Sequence, residues 1–367
     1  MQRIINTTGF ANSGSLGLQH FLLEYGYAHP RGAASETLMY SCSDGLYQLG
    51  DKLFSTTAAE DNTEAVLRFR EMTINSLYFK QLLSRDYSFI TDEEIDKLNQ
   101  AMDEFISHIG KMEGKTHFVR DREMIGRRAK KIYDILKVKL LFVPADRREE
   151  EAFKLRKMIS LRIMNGSEHV SGRGRMYVGC TREEYLSAAK KFIEATLPVE
   201  CEDGYDVLYS HLIHAGSINR VSKDYFDGNI RTLISWRDPR DQFAILKGNG
   251  KLCDAHEFAR YYKRCLTMED YNTEYCKSIR LEDMIFNHEK TAEDIVSFLD
   301  IKDRKGYGEK KYNPEESAHM AGLYLRPAYQ TDEWRRDFDL LERELPEYIY
   351  DWETALKEKG WYDERYK

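Results

Sequence analysis

The first 25 residues restrict this chain's fold more than any other stretch. Arg3 to Phe10 is a short β-branched run that halts at Gly9, and Ser15 to Tyr25 follows with Leu18, Phe21, Leu22 and Tyr25 at helical spacing. Between them, Gly9-Phe-Ala-Asn-Ser-Gly14-Ser15 has the G-x4-G spacing of a loop that curls its backbone around an anion. In such a loop the amides of Ser13, Gly14, Ser15 and Leu16 converge beside the positive end of the following helix, which suits a phosphate group. Ser15 and Leu16 stand where a nucleoside-triphosphatase carries Lys and then Ser or Thr. Neither the γ-phosphate lysine nor the magnesium hydroxyl is there.

A strand passing through a glycine turn into a helix is the opening of an α/β sheet, and the rest of the chain is consistent with one. A second strand is expected at Glu36 to Ser41, after the turn-rich His29-Pro30-Arg31-Gly32. The pattern is then helical from about residue 60 to 200. Thr91-Asp-Glu-Glu94 and Thr181-Arg-Glu-Glu184 are capping boxes, the first leading into Ile95, Leu98, Met102, Phe105 and Ile109, the second into Tyr185, Leu186, Ala189, Phe192 and Ile193. Strand signals return at Asp206 to Ile213, Thr232 to Trp236 and Tyr275 to Leu281, the last followed by a helix at Thr291 to Leu299. Short strands separated by helices argue for a mainly parallel sheet covered on both faces. The expected organisation is a first part of the core at 1–58, a helical insertion on the acceptor side at 59–200, a second part of the core at 201–330, and C-terminal helices at 331–367 that include Trp334 and Trp352.

Composition narrows the partners. A chain that is 42% hydrophobic and 32% charged is globular. With 62 acidic against 55 basic residues and a net charge of −7, it repels nucleic acid and anionic membranes as a whole, so an anion must meet a local site. The start lacks the charged and apolar regions of a signal peptide, and no apolar stretch reaches membrane-spanning length, so a cytoplasmic location is expected. The six cysteines show no CxxC pair and no zinc-ligand spacing, which points to reduced thiols and no metal site.

The second informative segment is Thr232-Leu-Ile-Ser-Trp236 running into Arg237-Asp238-Pro239-Arg240-Asp241. It resembles the 3′-phosphate-binding segment of the sulfotransferases that use 3′-phosphoadenosine 5′-phosphosulfate (PAPS), where a strand delivers R-x-P-x-D and the arginine holds the donor's 3′-phosphate. Asn12-Ser13-Gly14-Ser15-Leu16 is similar to the 5′-phosphosulfate loop of that family, commonly K-S-G-T-T or R-S-G-T-T. Ile279-Arg280-Leu281-Glu282-Asp283, with a helix ending Ile295-Val-Ser-Phe298-Leu299, resembles the family's Y-E-D-L strand end and F-L helix. The resemblance implies a three-layer P-loop fold and an enzyme that moves a sulfuryl group from PAPS to an acceptor hydroxyl without a metal, releasing adenosine 3′,5′-bisphosphate. By the same resemblance Asn12, Ser13, Gly14, Ser15, Leu16 and Arg237 bind the donor. The acceptor is expected to be a glycan, a sterol or another small lipid. Two positions depart from the family: Asn12 stands where it has a basic residue, and Ile245 where it has a 3′-phosphate serine.

In-line transfer requires a base for the acceptor proton. Glu36, in Ala34-Ser35-Glu36-Thr37, resembles the glutamate of the membrane-bound tyrosylprotein and heparan branches. His211 and His214 resemble in placement the histidine that the cytosolic branch carries before R-x-P-x-D, and an imidazole titrates in the right range. Arg31 is a stand-in for the missing loop cation, and Lys310 and Lys311 fall where the family has a basic contact to the 3′-phosphate. Two alternatives stay open: a P-loop kinase-like phosphotransferase with Asp238 on magnesium, and a non-catalytic nucleotide-binding member, suggested by Asn12.

Overall fold

The computed structural model describes residues 4–29, 38–83, 92–113, 130–166, 175–197, 206–251, 254–301 and 311–366. The chain divides into two compact units, one made of Met1–Ser43, Lys80–Phe89 and Thr196–Lys367, the other of Asp44–Phe79 and Ile90–Ala195. In chain order the strands are β1 (Ile4–Gly9), β2 (Tyr27–Ala28), β3 (Gly110–Glu113), β4 (Arg175–Val178), β5 (Asp206–Ser210), β6 (Ile230–Trp236) and β7 (Cys276–Arg280).

The first unit is an α/β fold on a five-stranded, all-parallel sheet of order β2-β5-β1-β6-β7. Its central strands are buried throughout and rich in β-branched residues, as Ile4, Ile5, Thr7 and Thr8 show in β1 and Ile230, Thr232 and Ile234 in β6. From β1 the chain builds β2 and β5 on one side, then crosses to β6 and β7 on the other. The switch in direction falls between β1 and β6, whose register runs from Ile4↔Ile230 to Gly9↔Ser235, so the two strands end level. In open parallel sheets the crevice outside such a switch point is where ligands bind.

One face of the sheet is covered by the helix Ser15–Leu23, whose Leu18, Phe21 and Leu22 pack with Ile5, Leu208 and Leu233. Ile295 and Leu299, in and just beyond the helix His288–Phe298, close the same core. Each such side chain contributes about 1.5–3 kcal/mol on burial. On β1 the residues between these point the other way, and Asn6 is fully buried there. Its Nδ2 donates to Ile213 O (3.2 Å) and Thr232 Oγ1 (3.3 Å), and its Oδ1 accepts from Leu212 N (3.0 Å), which pins the turn after β5. A second cluster joins Phe243, Phe258 and Tyr262 to Phe338, Leu341, Trp352 and Leu356 of the C-terminal helices Asp332–Glu344 and Trp352–Glu358.

Two expectations need correcting. The second strand is Tyr27–Ala28, paired as Tyr27↔Asp206 and Ala28↔Val207, whereas Leu38–Ser41 is a single helical turn. Met39 and Tyr40 of this turn are buried, and Tyr40 OH pairs with Thr196 Oγ1 at 2.9 Å. β5 ends at Ser210, short of Ile213, because His211 adopts φ 56° and turns the chain.

The second unit is built from the helices Ala59–Leu83, Asp92–Ile109, Arg148–Gly166 and Arg182–Thr196 around Phe69, Phe105, Tyr185 and Phe192. At the last of these, Thr181 N donates to Glu184 Oε2 (2.8 Å) and Glu184 N to Thr181 Oγ1 (3.2 Å), the reciprocal pair of a capping box. Thr91 lies outside the described residues. β3 and β4 form an antiparallel ribbon that the helical pattern does not announce. Among the described residues, no helix is long and apolar enough to cross a membrane.

Where β6 meets the helix Pro239–Gly248, Asp238 acts as N-cap, accepting from Arg240 N at 2.8 Å. Its carboxylate also holds the Arg240 guanidinium (Nε 3.1 Å, Nη2 2.7 Å) and accepts from Tyr350 N at 2.8 Å. Arg240 in turn donates to Tyr350 O (2.7 Å) and lies over the Tyr324 ring at 3.9 Å. Both ions are buried. Asp238→Ala leaves Arg240 without its buried counter-ion, so denaturant unfolding should show a loss of about 3–5 kcal/mol. Glu342→Ala, which removes a half-exposed partner of Arg240, should cost under ~1 kcal/mol in the same measurement.

Candidate active site at the carboxyl edge of the sheet

The loop after β1 is held tightly from below. Ser13 N donates to Phe10 O (2.9 Å), the Ser13 and Ser235 hydroxyls pair at 2.8 Å, and Gln242 Nε2 donates to Ala11 O (2.5 Å). A Cβ at Gly9 would overlap the hydroxyls of Ser13 and Ser235, so only glycine lets β1 and β6 close here. Asn12 and Gly14 both take left-handed conformations, φ 60° and 96°, and a Cβ at Gly14 would also run into Leu281.

The outcome differs from the expected cradle in one respect. The Ser13 amide is spent inside the loop, and its hydroxyl is buried against Ser235. The amides of Gly14, Ser15 and Leu16 have no partner among the described residues, and the helix they open has no side-chain cap. Asn12 and Leu16 are exposed at the rim.

Arg237 leaves the end of β6 directly beneath this loop. Its Nη1 donates to Asn12 O at 3.4 Å, tying together segments 225 residues apart, and its Nη2 pairs with Asp241. Tyr262 OH donates to Arg237 O at 2.6 Å and fixes the backbone. Burial pulls the Arg237 guanidinium down to about 10, against the nearby charges of Glu282 and Asp238 that favour its protonated form. Its Nε is buried with no hydrogen-bond partner among the described residues. Asp241 is fully buried and also accepts from Gly322 N (3.2 Å) and Leu323 N. Glu282, in the helix Leu281–Phe286 that follows β7, accepts from Asp238 N (2.7 Å) and Arg280 Nε (3.3 Å); burial first, then the charge of Asp238, raises its pKa.

One strand over, at the end of β5, His211 N donates to Thr7 O (2.8 Å). Its Nδ1 pairs with Ser210 Oγ (2.8 Å), which accepts from Gln19 Nε2 (3.0 Å) on the helix that follows the loop. The His211 ring is thereby oriented from two elements of the core. His214 is exposed, its ring centroid 6.0 Å from that of His211. Beside Phe10 lies a cleft of about 250 Å³ walled by Trp236, Tyr271 and Tyr348.

The carboxyl edge therefore brings together Asn12, Ser13, Gly14, Ser15, Leu16, Arg237 and His211. Glu36, Arg31 and Lys310 lie outside the described residues, and Lys311 is exposed. Pattern reading misses Asn6, Gln19, Gln242 and Glu282, polar residues whose partners are strands away in sequence. Among the described residues no group of His, Cys, Asp or Glu is placed to hold a metal. Comparison with protein-family models, with curated proteins and with solved structures finds no match to this chain.

Proposed function

We propose that the chain is a PAPS-dependent sulfotransferase with a P-loop core, moving a sulfuryl group to a hydroxyl of a glycan, sterol or other small lipid in the cytoplasm. The observation that carries this reading is the meeting of Arg237 with the loop carbonyl of Asn12 at the sheet's switch point. There, two segments that each resemble a phosphate-binding part of one family sit side by side. When bound, PAPS supplies the activated sulfuryl group, with adenosine 3′,5′-bisphosphate as the leaving group.

The chain's own residues fit two anionic groups. The amides of Gly14, Ser15 and Leu16, without a partner among the described residues, suit the 5′-phosphate at a helix end that favours negative charge. Arg237 suits the 3′-phosphate, its Nε being a buried donor with no partner among the described residues. Asp241 is then the counter-ion that keeps this buried cation neutralised until a phosphate shares it. Glu36, His211 and His214 are the proposed bases: one of them takes the acceptor hydroxyl's proton as that oxygen bonds sulfur and the sulfur–oxygen bond to the leaving phosphate breaks. Gln19 and Ser210 hold the His211 ring for that task. The kinase alternative asks Asp238 to bind magnesium, yet both of its oxygens are engaged by Arg240 and Tyr350 N.

Adenosine 3′,5′-bisphosphate should raise the melting temperature more than AMP or ATP, because neither of these carries a 3′-phosphate for Arg237. Equal shifts for all three would contradict the proposal. Arg237→Ala should lower the starting melting temperature, since Asp241 loses its buried partner, and should remove most of the preference for the bisphosphate, by about tenfold or more in affinity.

With labelled PAPS and a turned-over acceptor, removal of the base should lower turnover by roughly 10²-fold or more while donor affinity is kept. Glu36→Gln, His211→Ala and His214→Ala, measured in parallel, name the residue. Near-wild-type turnover in all three variants would exclude all three as the base.

A further inference from the structure

In the second unit, Lys130–Met158 forms a helical hairpin. A helical arm ends in the 3-10 turn Lys137–Phe142, the chain reverses at Val143 and Pro144, and the helix Arg148–Gly166 returns. The arms are joined by Arg156, whose Nη2 donates to Tyr133 OH (3.2 Å) and whose guanidinium lies 4.6 Å over the Tyr133 ring. Arg148 Nε donates to Val143 O (2.8 Å) and holds the reversal.

This hairpin turns large apolar side chains to solvent. Ile132 and Ile135 are exposed on the α-helical part of the first arm, and Val138 and Leu141 are exposed in its 3-10 turn, where a three-residue spacing aligns side chains. At the tip, Leu141 is 67% and Phe142 88% exposed, and Phe153 on the returning helix is 66% exposed. Isolated exposed apolar residues are ordinary, but so many large ones gathered on one short hairpin mark an interaction surface.

Charge identifies the partner. Between Lys130 and Met158 the sequence carries nine Lys and Arg against five Asp and Glu, in a chain whose overall balance is 55 against 62. Three of those five acids, Glu149, Glu150 and Glu151, sit in the first turn of the returning helix, where they offset its dipole, and Glu150 and Glu151 engage Lys154. Lys130, Lys131, Arg147 and Lys157 lie exposed on the arms and the reversal. A second copy of the same basic face would meet it with like charge, whereas an anionic bilayer offers opposite charge outside and apolar depth for Leu141 and Phe142. We infer that the tip of this hairpin is a peripheral membrane-docking element that inserts its apolar row into the interface of an anionic lipid bilayer. The inference is independent of the nucleotide site.

Co-sedimentation of the full chain with vesicles tests it. The protein should pellet with vesicles of equal parts phosphatidylglycerol and phosphatidylcholine, not with phosphatidylcholine alone, and salt should release it. Leu141→Ser with Phe142→Ser should weaken binding about tenfold or more, and Lys130→Glu with Lys131→Glu about fivefold per residue. These side chains are exposed, so the melting temperature of each variant should match that of the wild type. Failure to pellet with anionic vesicles, or equal pelleting with both lipids, would overturn the inference. So would a concentration-dependent dimer in light scattering that Leu141→Ser with Phe142→Ser abolishes, because the face would then belong to a second copy.

Discussion

The described architecture of the first unit turns on the neutralisation of two arginines at the end of one central strand. Arg237 and Arg240 are both buried, and each is balanced by an aspartate on the same short segment, Asp241 and Asp238. Unpaired, either ion would cost several kcal/mol. Paired, they do separate work: Arg240 and Asp238 bind the strand to the backbone around Tyr350 and the helix carrying Glu342, and Arg237 reaches the loop after β1. Glu282, just beyond β7, adds a third acid and accepts from the Asp238 amide. The ends of β1, β6 and β7 are thus tied by one buried ionic network that also holds the loop through the Asn12 carbonyl.

Such a site needs little net positive charge. The chain as a whole is acidic and the loop carries no lysine or arginine. In the function proposed above, the attraction for an anion comes from three backbone amides at a helix end and from one guanidinium held below the surface. In that proposal, a buried arginine with an acidic partner and an Nε that has no partner among the described residues exchanges one anion for another, since a phosphate would supply both the charge and the missing acceptor.

Some of this is legible in the residues and some is not. β1, its glycine loop and the helix after it can be read because a β-branched run, two glycines and a 3.6-residue apolar period are local signals. The Thr181–Glu184 capping box can be read for the same reason, and it forms as expected. β2 escapes because two residues are too few to alternate, and the expected strand at Glu36 to Ser41 gives way where Leu38–Ser41 winds into a helical turn. Asn6, Gln19 and Gln242 escape for a different reason: their hydrogen-bond partners lie 191 to 231 residues away, and nothing local marks them. Likewise, R-D-P-R-D displays Arg237 but not that its two acids serve the two arginines.

The most direct measurement is a crystal structure with adenosine 3′,5′-bisphosphate bound. The account predicts the 5′-phosphate on the amides of Gly14, Ser15 and Leu16, and the 3′-phosphate on the Arg237 guanidinium, Nε included, with its pairing to Asp241 loosened. A nucleotide bound away from the β1–β6 crevice, or one seated there while Arg237 stays on Asp241 and touches no phosphate, would contradict it.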